Sequence, residues 1–324
     1  MDFVNRSTNP IELPLLARLL RAYLRTSLRG RTRLTRILAG KFQSLRAVPV
    51  ILKDRSPIYV DLRFDMSHFW LGGSPWATSP FELDEQAVMR RVVRPGETAF
   101  DIGANLGLHT ALLARVVGPQ GRVCVFEPNR LLIPTLNKTV KMMGNAALFP
   151  VALSDHIGES TLYVPNDHSM GSLADYTSDP SLEEWRERIG LSKAETLPCE
   201  VSSIDFLIAS NLVPKPDFIK CDVEGAEVMV FRGGHMAINH TDGPIILFEV
   251  REECSRGFGL SRAAAIDFLR SLPLPRYRFF EVRAGGELLP LTSGDSEFPN
   301  VLAVPESKLD RVNDVKPVSH DTTE

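Results

Sequence analysis

Two features have the residue types and spacing for chemistry: the stretch Asp101-Ile102-Gly103-Ala104-Asn105-Leu106-Gly107, and Glu127 beyond it. Gly103 and Gly107 let another group approach the backbone closely. Asn105 tolerates unusual backbone angles or donates a hydrogen bond. Asp101 can accept hydrogen bonds from a bound amine or from the turn itself. A turn of this kind, opening a helix, lets a nucleoside ligand lie against backbone N–H groups at the helix N-terminus. Asn105 and Leu108 stand where the second and third glycines of G-x-G-x-x-G would be, which argues against a nicotinamide dinucleotide. Glu127 follows about 20 residues on, where an acid at a strand end can hold the ribose hydroxyls of an adenosine. Each feature alone also has a purely structural reading.

These residues need a strand, a turn and a helix to place them. The apolar run at 98–102 predicts the strand, and 108–117 has helical periodicity closed by Gly118-Pro119. The alternation then repeats. Strands are expected at 122–126, 147–153, 218–223 and 244–250, with closing strands at 276–282 and 301–305. Helices are expected at 131–143, near Ala226 and at 261–271. Strands alternating with helices of this length predict an α/β domain, with a mostly parallel sheet covered on both faces. Residues 158–164 read as a short strand. The polar stretch 166–197, with one helical piece at 181–189, is a long insertion of the kind that is often functional.

The chain has 324 residues, 44% hydrophobic and 24% charged, with a net charge of −3, so global charge names no partner. No apolar run approaches the ~20 residues a membrane-spanning helix needs. The N-terminus lacks the basic-then-apolar layout of a secretory signal, and the expected location is cytoplasmic. Cys124, Cys199, Cys221 and Cys254 are too far apart for a C-x-x-C pair, and they read as buried small hydrophobes in a reducing compartment.

Residues 1–50 differ from the rest. Ten basic residues stand there against Asp2 and Glu12, a net of +8, which leaves −11 for the remainder. Over 15–29, Arg18, Arg21, Arg25 and Arg29 fall on one helical face, with Leu16, Leu19, Leu20, Tyr23 and Leu24 mostly on the other. Pro14 suits the helix start and Gly30 its end. A basic amphipathic arm of this kind either packs its leucines on the protein's own core or lies on an anionic membrane surface. Nucleic acid is a third reading. Residues 51–96 predict a small β element, with a strand over 58–64, a loop at Gly72-Gly73-Ser74-Pro75 and a lead-in helix over 81–93. Residues 97–305 form the α/β domain, and 306–324 a polar tail expected to be disordered.

The chain resembles FkbM-type S-adenosylmethionine-dependent methyltransferases. The resemblance rests on 101–107, on Val125-Phe126-Glu127-Pro128, on Val151-Ala152-Leu153-Ser154, on 218–227 and on Phe248-Glu249-Val250. The block Asp222-Val223-Glu224-Gly225 is its more distinctive part, and Cys221 departs mildly from the aliphatic residue common there. The resemblance covers about two thirds of the chain and leaves out the basic arm. It implies a Rossmann-like methyltransferase fold, with an antiparallel strand near the sheet's end. It implies cofactor contacts at Asp101, Gly103, Asn105, Gly107 and Glu127. It places Asp222 and Glu224 at a central strand end, facing the methyl group, and implies transfer to oxygen on a sugar or small natural product.

Such a transfer is an in-line displacement in which the enzyme positions the nucleophile and excludes water. A hydroxyl acceptor benefits from a general base. Asp222 is the first candidate, then His168 in the insertion, with Glu224 and Glu249 orienting the acceptor or capping backbone amides. His109 reads as a helix-start residue. No metal site is expected, although Asp222, Glu224 and Glu249 are three carboxylates that could gather. The expectation is an O-methyltransferase acting on a sugar, glycan or small natural product, with the arm near a membrane surface as an added reading. The alternatives are a nucleic-acid methyltransferase using the arm, and a non-catalytic protein that keeps the fold.

Overall fold

The computed structural model describes residues 13–52, 56–72, 80–292 and 296–312. Two short helices open the chain, α1 (Leu15–Leu24) and α2 (Arg31–Lys41), followed by a hairpin, β1 (Val48–Ile51) and β2 (Pro57–Val60), and then helices α3 (Asp65–Gly72) and α4 (Pro80–Val92). The strand–helix alternation begins with β3 (Thr98–Ile102), α5 (Leu108–Val117), β4 (Arg122–Phe126), α6 (Ile133–Lys141) and β5 (Ala146–Phe149). Next come β6 (Ala152–Leu153), β7 (Gly158–Val164), α7 (Glu183–Ile189), β8 (Glu195–Ser202) and α8 (Ile204–Ala209). The chain continues through β9 (Phe218–Cys221), α9 (Glu227–Gly233), α10 (His235–Ile238), β10 (Ile245–Glu249), α11 (Glu252–Arg256) and α12 (Ala264–Ser271). It closes with β11 (Tyr277–Arg283), β12 (Glu287–Pro290) and β13 (Asn300–Pro305).

The central sheet has eight strands in the order β12-β11-β13-β10-β9-β3-β4-β5. The run from β10 to β5 is parallel, while β13, β11 and β12 are each antiparallel to their neighbours. This is the expected α/β fold, Rossmann-like and mostly parallel. The antiparallel end holds three strands rather than one. Helices cover both faces. Leu112 and Leu113 of α5, Leu136 of α6 and Val88, Met89 and Val92 of α4 pack on one face, with Ala99, Val123, Val125 and Leu247. Val230 and Phe231 of α9, Ile204 of α8 and Ile266 and Leu269 of α12 pack on the other, with Phe100, Phe126, Ile219 and Phe248. Both layers bury side chains worth about 1.5–3 kcal/mol each, so α4 belongs to the sheet and the domain reaches back before residue 97.

Several expected bounds move, each for a local reason. The strand expected at 147–153 splits at Pro150, which has no N–H for the ladder. β6 then joins a separate three-stranded sheet, β6-β8-β7. β8 lies where a loop was expected. Its Pro198 faces Thr161 of β7, and β6 reaches only Val201 and Ser202, so the proline sits at a free edge. The strand expected through residue 64 stops at Val60. There Asp61 Oδ1 accepts the Arg63 N–H at 2.9 Å and turns the chain into α3. α3 takes in Gly72 of the expected loop, and 73–79 lie outside the described residues.

The arm is also revised. Its first helix ends at Leu24, and Gly30, with φ +79°, precedes α2 rather than closing α1. Ala17, Leu20 and Leu24 are buried in a cluster with Ala39, Val48, Ile58, Val60 and Leu71, which packs on Leu106, Ala111 and Leu132 of the main domain. The boundary expected between residues 50 and 51 therefore falls inside a hairpin and inside one apolar cluster. At the other end, residues 306–312 are packed rather than disordered. Glu306–Arg311 form a 3-10 stretch, Lys308 donates to the Gly243 carbonyl at 2.9 Å, and Val312 is buried. The remainder of that tail lies outside the described residues. Among the described helices none is long and apolar enough to cross a membrane.

Candidate active site

A cleft opens at the C-terminal ends of β9, β3 and β4. From β3 the chain runs to β4 and β5 on one side, and it returns through β9 and β10 on the other. This switch in strand order leaves a crevice where α/β sheets bind ligands. The cleft is lined by the turn (Gly103, Asn105), the end of β4 (Phe126, Glu127), Leu132, the insertion (His168, Ser172) and the end of β9 (Asp222, Val223).

The glycine turn is held from below. The Gly103 and Ala104 N–H groups donate to the Phe126 carbonyl at 3.0 and 3.1 Å. Gly103 has φ +79°, and a Cβ there would lie 1.8 Å from the Asp222 carbonyl oxygen. The absent side chain is what lets β9 approach the turn. Gly107 starts α5 at φ +86°, where a Cβ would lie 2.9 Å from Leu136 of α6. Its work is helix packing, since it does not line the cleft. Asn105, at φ +52°, donates its N–H to Glu127 Oε2 at 2.8 Å, and Asn129 donates its own to Oε1 at 2.8 Å. The turn and the strand-end acid are thus one unit. Burial pushes the Glu127 carboxyl up to about 7, against the pull of those two N–H groups.

Asp101 departs from the expected cofactor contact. It is fully buried, accepts the Thr110 hydroxyl on Oδ2, and lies in register with Lys220 on the α4–α5 face of the sheet. Strand alternation sends its side chain behind the turn, where Oδ2 anchors α5 while Oδ1 has no hydrogen-bond partner among the described residues. His109 likewise turns away from the cleft. Its Nε2 lies 3.0 Å from Glu85 of α4. Burial and Lys220 oppose its protonation, but Glu85 outweighs them and raises its pKa.

Lys220 was not singled out by sequence reasoning, because one lysine in an apolar strand carries no motif. It is buried and donates to Asp222 Oδ2 at 2.7 Å. Burial works against its ammonium, yet Asp222, Glu85 and Asp101 hold its pKa above the usual range. Burial likewise opposes ionisation of Asp222, and Lys220 overcomes it and keeps that carboxyl below the usual range. Asp222, about one third exposed at 32%, faces the cleft as a carboxylate.

The structure brings Asp222, Glu224 and Glu249 together, each offering an oxygen within 4.8 Å of the others. Each also has one oxygen held by a donor: Lys220 Nζ on Asp222, Cys254 Sγ on Glu224 at 3.0 Å, and Arg251 Nε on Glu249 at 2.8 Å. These are the residues that have the donor set for a metal. Glu224 has φ +53°, and its backbone carbonyl accepts the Ser172 hydroxyl at 2.8 Å, tying the insertion to this corner. Burial pushes Glu224 up to about 7, helped by Asp222, and pushes Glu249 well above the carboxylate range. Glu227 holds the Val223 N–H at 3.0 Å and is a turn cap, buried and raised to about 8. Across the cleft, His168 rests on Phe64 with ring centroids 4.2 Å apart. Its Nδ1 is buried with no hydrogen-bond partner among the described residues, and burial lowers its pKa.

The donor set suits S-adenosylmethionine. Glu127, the Gly103 turn and the Asp222 carboxylate line one cleft, and these residue types match a diol, a close backbone approach and a cation. The family model described as the methyltransferase FkbM domain matches residues 101–275. The chain belongs to the FkbM methyltransferase family. The FkbM domain is that of a methyltransferase whose cofactor is S-adenosylmethionine, and the match spans both the turn and the Asp222–Glu227 block.

Among curated proteins, the FkbM chain is similar to the hexuronic acid methyltransferase AglP of Haloferax volcanii. They are 26% identical over 165 residues, covering 50% of this chain and 61% of that protein. It is also 28% identical over 170 residues to the AMB antimetabolite synthetase AmbE of Pseudomonas aeruginosa, covering 44% of this chain and 8% of that one. The chain thus spans less than two thirds of either relative's length. Among solved structures it is similar to an S-adenosylmethionine-dependent O-methyltransferase from Thermotoga maritima. That match has 13% identity and a TM-score of 0.37, covering 82% of this chain and 94% of the other.

Proposed function

We propose that this protein transfers a methyl group from S-adenosylmethionine to a hydroxyl oxygen of a sugar, glycan or small natural product. When bound, the cofactor supplies a methyl group on positively charged sulfur, an electrophile that needs no further activation. The chain's own residues do the rest. Glu127 holds the ribose hydroxyls while Asn105 and Gly103 shape the backbone beneath. Asp222, kept ionised by Lys220, accepts a hydrogen bond from the acceptor hydroxyl and aims its oxygen at the methyl group. Asp222 takes that proton as the bond to the methyl group forms, and passes it to Glu224, which offers an oxygen within 4.8 Å and whose carboxyl near 7 is matched to holding it at neutral pH. His168 closes the opposite wall and offers Nδ1 to the acceptor. These steps draw on the chain's own carboxylates, and the reading assigns no metal.

The observation that carries the reading is the placement of Asp222 and Glu127 on one cleft, at the ends of β9 and β4, which flank β3 and its Gly103 turn. The preference for a saccharide rests on the hexuronic acid methyltransferase among the relatives. The four buried, unbridged cysteines suit a reducing compartment, and the reading places the protein in the cytoplasm. The test is transfer of labelled methyl groups to a panel of uronic acids, neutral glycans and polyketide-like alcohols, with cofactor binding measured in parallel by calorimetry. Methylation of a hydroxyl panel member supports the reading. Cofactor binding with labelling of RNA alone overturns the acceptor class, and failure to bind the cofactor overturns the enzyme reading.

A further inference from the structure

Between residues 13 and 52 the chain has nine basic residues, Arg18, Arg21, Arg25, Arg29, Arg31, Arg33, Arg36, Lys41 and Arg46, and no acid. Part of that segment is core, as Ala17, Leu20 and Leu24 show. Its other side is unusual. Sequence periodicity put Leu19 on the same apolar face as Leu20 and Leu24, but the structure buries those two and turns Leu19 outward. Leu15 is 73% exposed and Leu19 60% exposed. The two are four residues apart and one turn apart on the helix, so with Ala22 they form a ridge directly opposite the buried Leu20 and Leu24. Exposed Arg18, Arg21 and Arg25 flank the ridge, and with Leu13 and Ala22 they line a shallow groove. On α2, Leu34 and Ile37 are outward as well, beside exposed Arg33 and Lys41, and Phe42 follows them. The apolar residues on this side do not serve the fold, and burying each in an apolar phase is worth about 1.5–3 kcal/mol.

We propose that the outer faces of α1 and α2 dock on an anionic lipid bilayer, with Leu15 and Leu19 entering the acyl boundary and the arginines meeting lipid phosphates. The charge of this face selects the occupant. A second copy presenting the same patch would set arginines against arginines. A nucleic acid would satisfy the charge but leave the Leu15–Leu19 ridge in water. An anionic bilayer offers both a negative surface and a hydrocarbon boundary to the same face. The docking does not depend on methyl transfer. Because the arm's apolar cluster also includes Leu132, which lines the cleft, docking would hold the active site close to the lipid surface.

The experiment is flotation of the full chain with vesicles of phosphatidylcholine alone, and with vesicles that also contain phosphatidylglycerol, at low and high salt. The expected result is binding to the anionic vesicles only, weakened by salt. Arg21→Glu with Arg29→Glu and Arg33→Glu is expected to lower partitioning by about a hundredfold or more. Leu15→Gln with Leu19→Gln should weaken it by at least tenfold without changing the melting temperature, since neither side chain packs in the core. Equal recovery with neutral and anionic vesicles, or binding indifferent to both variants, overturns the proposal. So does a dimer that Leu19→Gln converts to monomer, or an RNA affinity that the arginine variant abolishes while vesicle binding persists.

Discussion

Replacing Gly103 by alanine tests the link between the turn and Asp222. The added Cβ would start 1.8 Å from the Asp222 carbonyl oxygen and 2.9 Å from its carbonyl carbon. Real Cβ contacts do not fall below 3.0 Å, so β9 and the turn must separate by about 1.2 Å. The atom met is backbone, and a rotamer change gives no relief. The φ of +79° adds about 1–2 kcal/mol of strain for a residue with a side chain. Together with overpacking of about 1–3 kcal/mol, the variant should lose about 2–5 kcal/mol of stability. Activity should suffer as well, because a shift near 1 Å in a positioning group costs about a hundredfold in rate. The assay is methyl transfer at saturating cofactor, below the variant's melting temperature, beside a thermal melt and calorimetric cofactor affinity. Transfer within twofold of the parent, with an unshifted melt, would refute the claim that this contact sets the site.

Four further outcomes are expected. Glu127→Ala frees two N–H groups and removes the diol partner, so cofactor Kd should rise about tenfold to a hundredfold by calorimetry, with transfer at saturation little changed. Asp222→Asn should lower kcat by about 10²–10⁴-fold while cofactor affinity holds within a few-fold, and an unchanged kcat would remove Asp222 from the chemistry. Glu224 must be deprotonated to take a proton, so kcat at saturating cofactor should climb as pH rises through about 7 and level off above it, and Glu224→Gln should abolish that climb in a stopped pH series. Leu20→Ala should cost about 2–5 kcal/mol in a denaturant melt, whereas Leu19→Ala one residue earlier should stay within about 0.5 kcal/mol.

Much of the α/β architecture was legible because it is written in local signals. Apolar runs ending in Asp101, Glu127 and Asp222, with glycines stopping the helices between, fix the order of strands and helices. The turn and the strand-end acid were legible for the same reason, since backbone freedom and strand position are local properties. Bounds failed where a single residue redirected the chain, as Pro150 did between β5 and β6 and Asp61 did after β2. β8 was hidden because its proline is tolerated only at an unpaired edge, and pairing is not a local property.

What the sequence determined by itself is the turn at 101–107, the strand-end Glu127 beyond it, and the parallel sheet that brings both to one end. What only the tertiary structure decided is which way side chains face. Asp101, expected at the cofactor, also anchors Thr110 of α5, because strand alternation turns it that way. Lys220 looked like nothing and became the partner that keeps Asp222 charged. Glu224 and Glu249 acquired their raised pKa values from burial and from the Asp222 carboxylate beside them, against the pull of Arg251. Leu19 shares an apolar face with Leu20 in the sequence yet faces outward, because the tertiary contacts of α1 run through Ala17, Leu20 and Leu24. A period of 3.6 residues says that a helix has two faces, but the choice of buried face belongs to the surfaces that meet it. The same holds for charge: a carboxylate's proton affinity is set by neighbours that the chain brings in from far along its length.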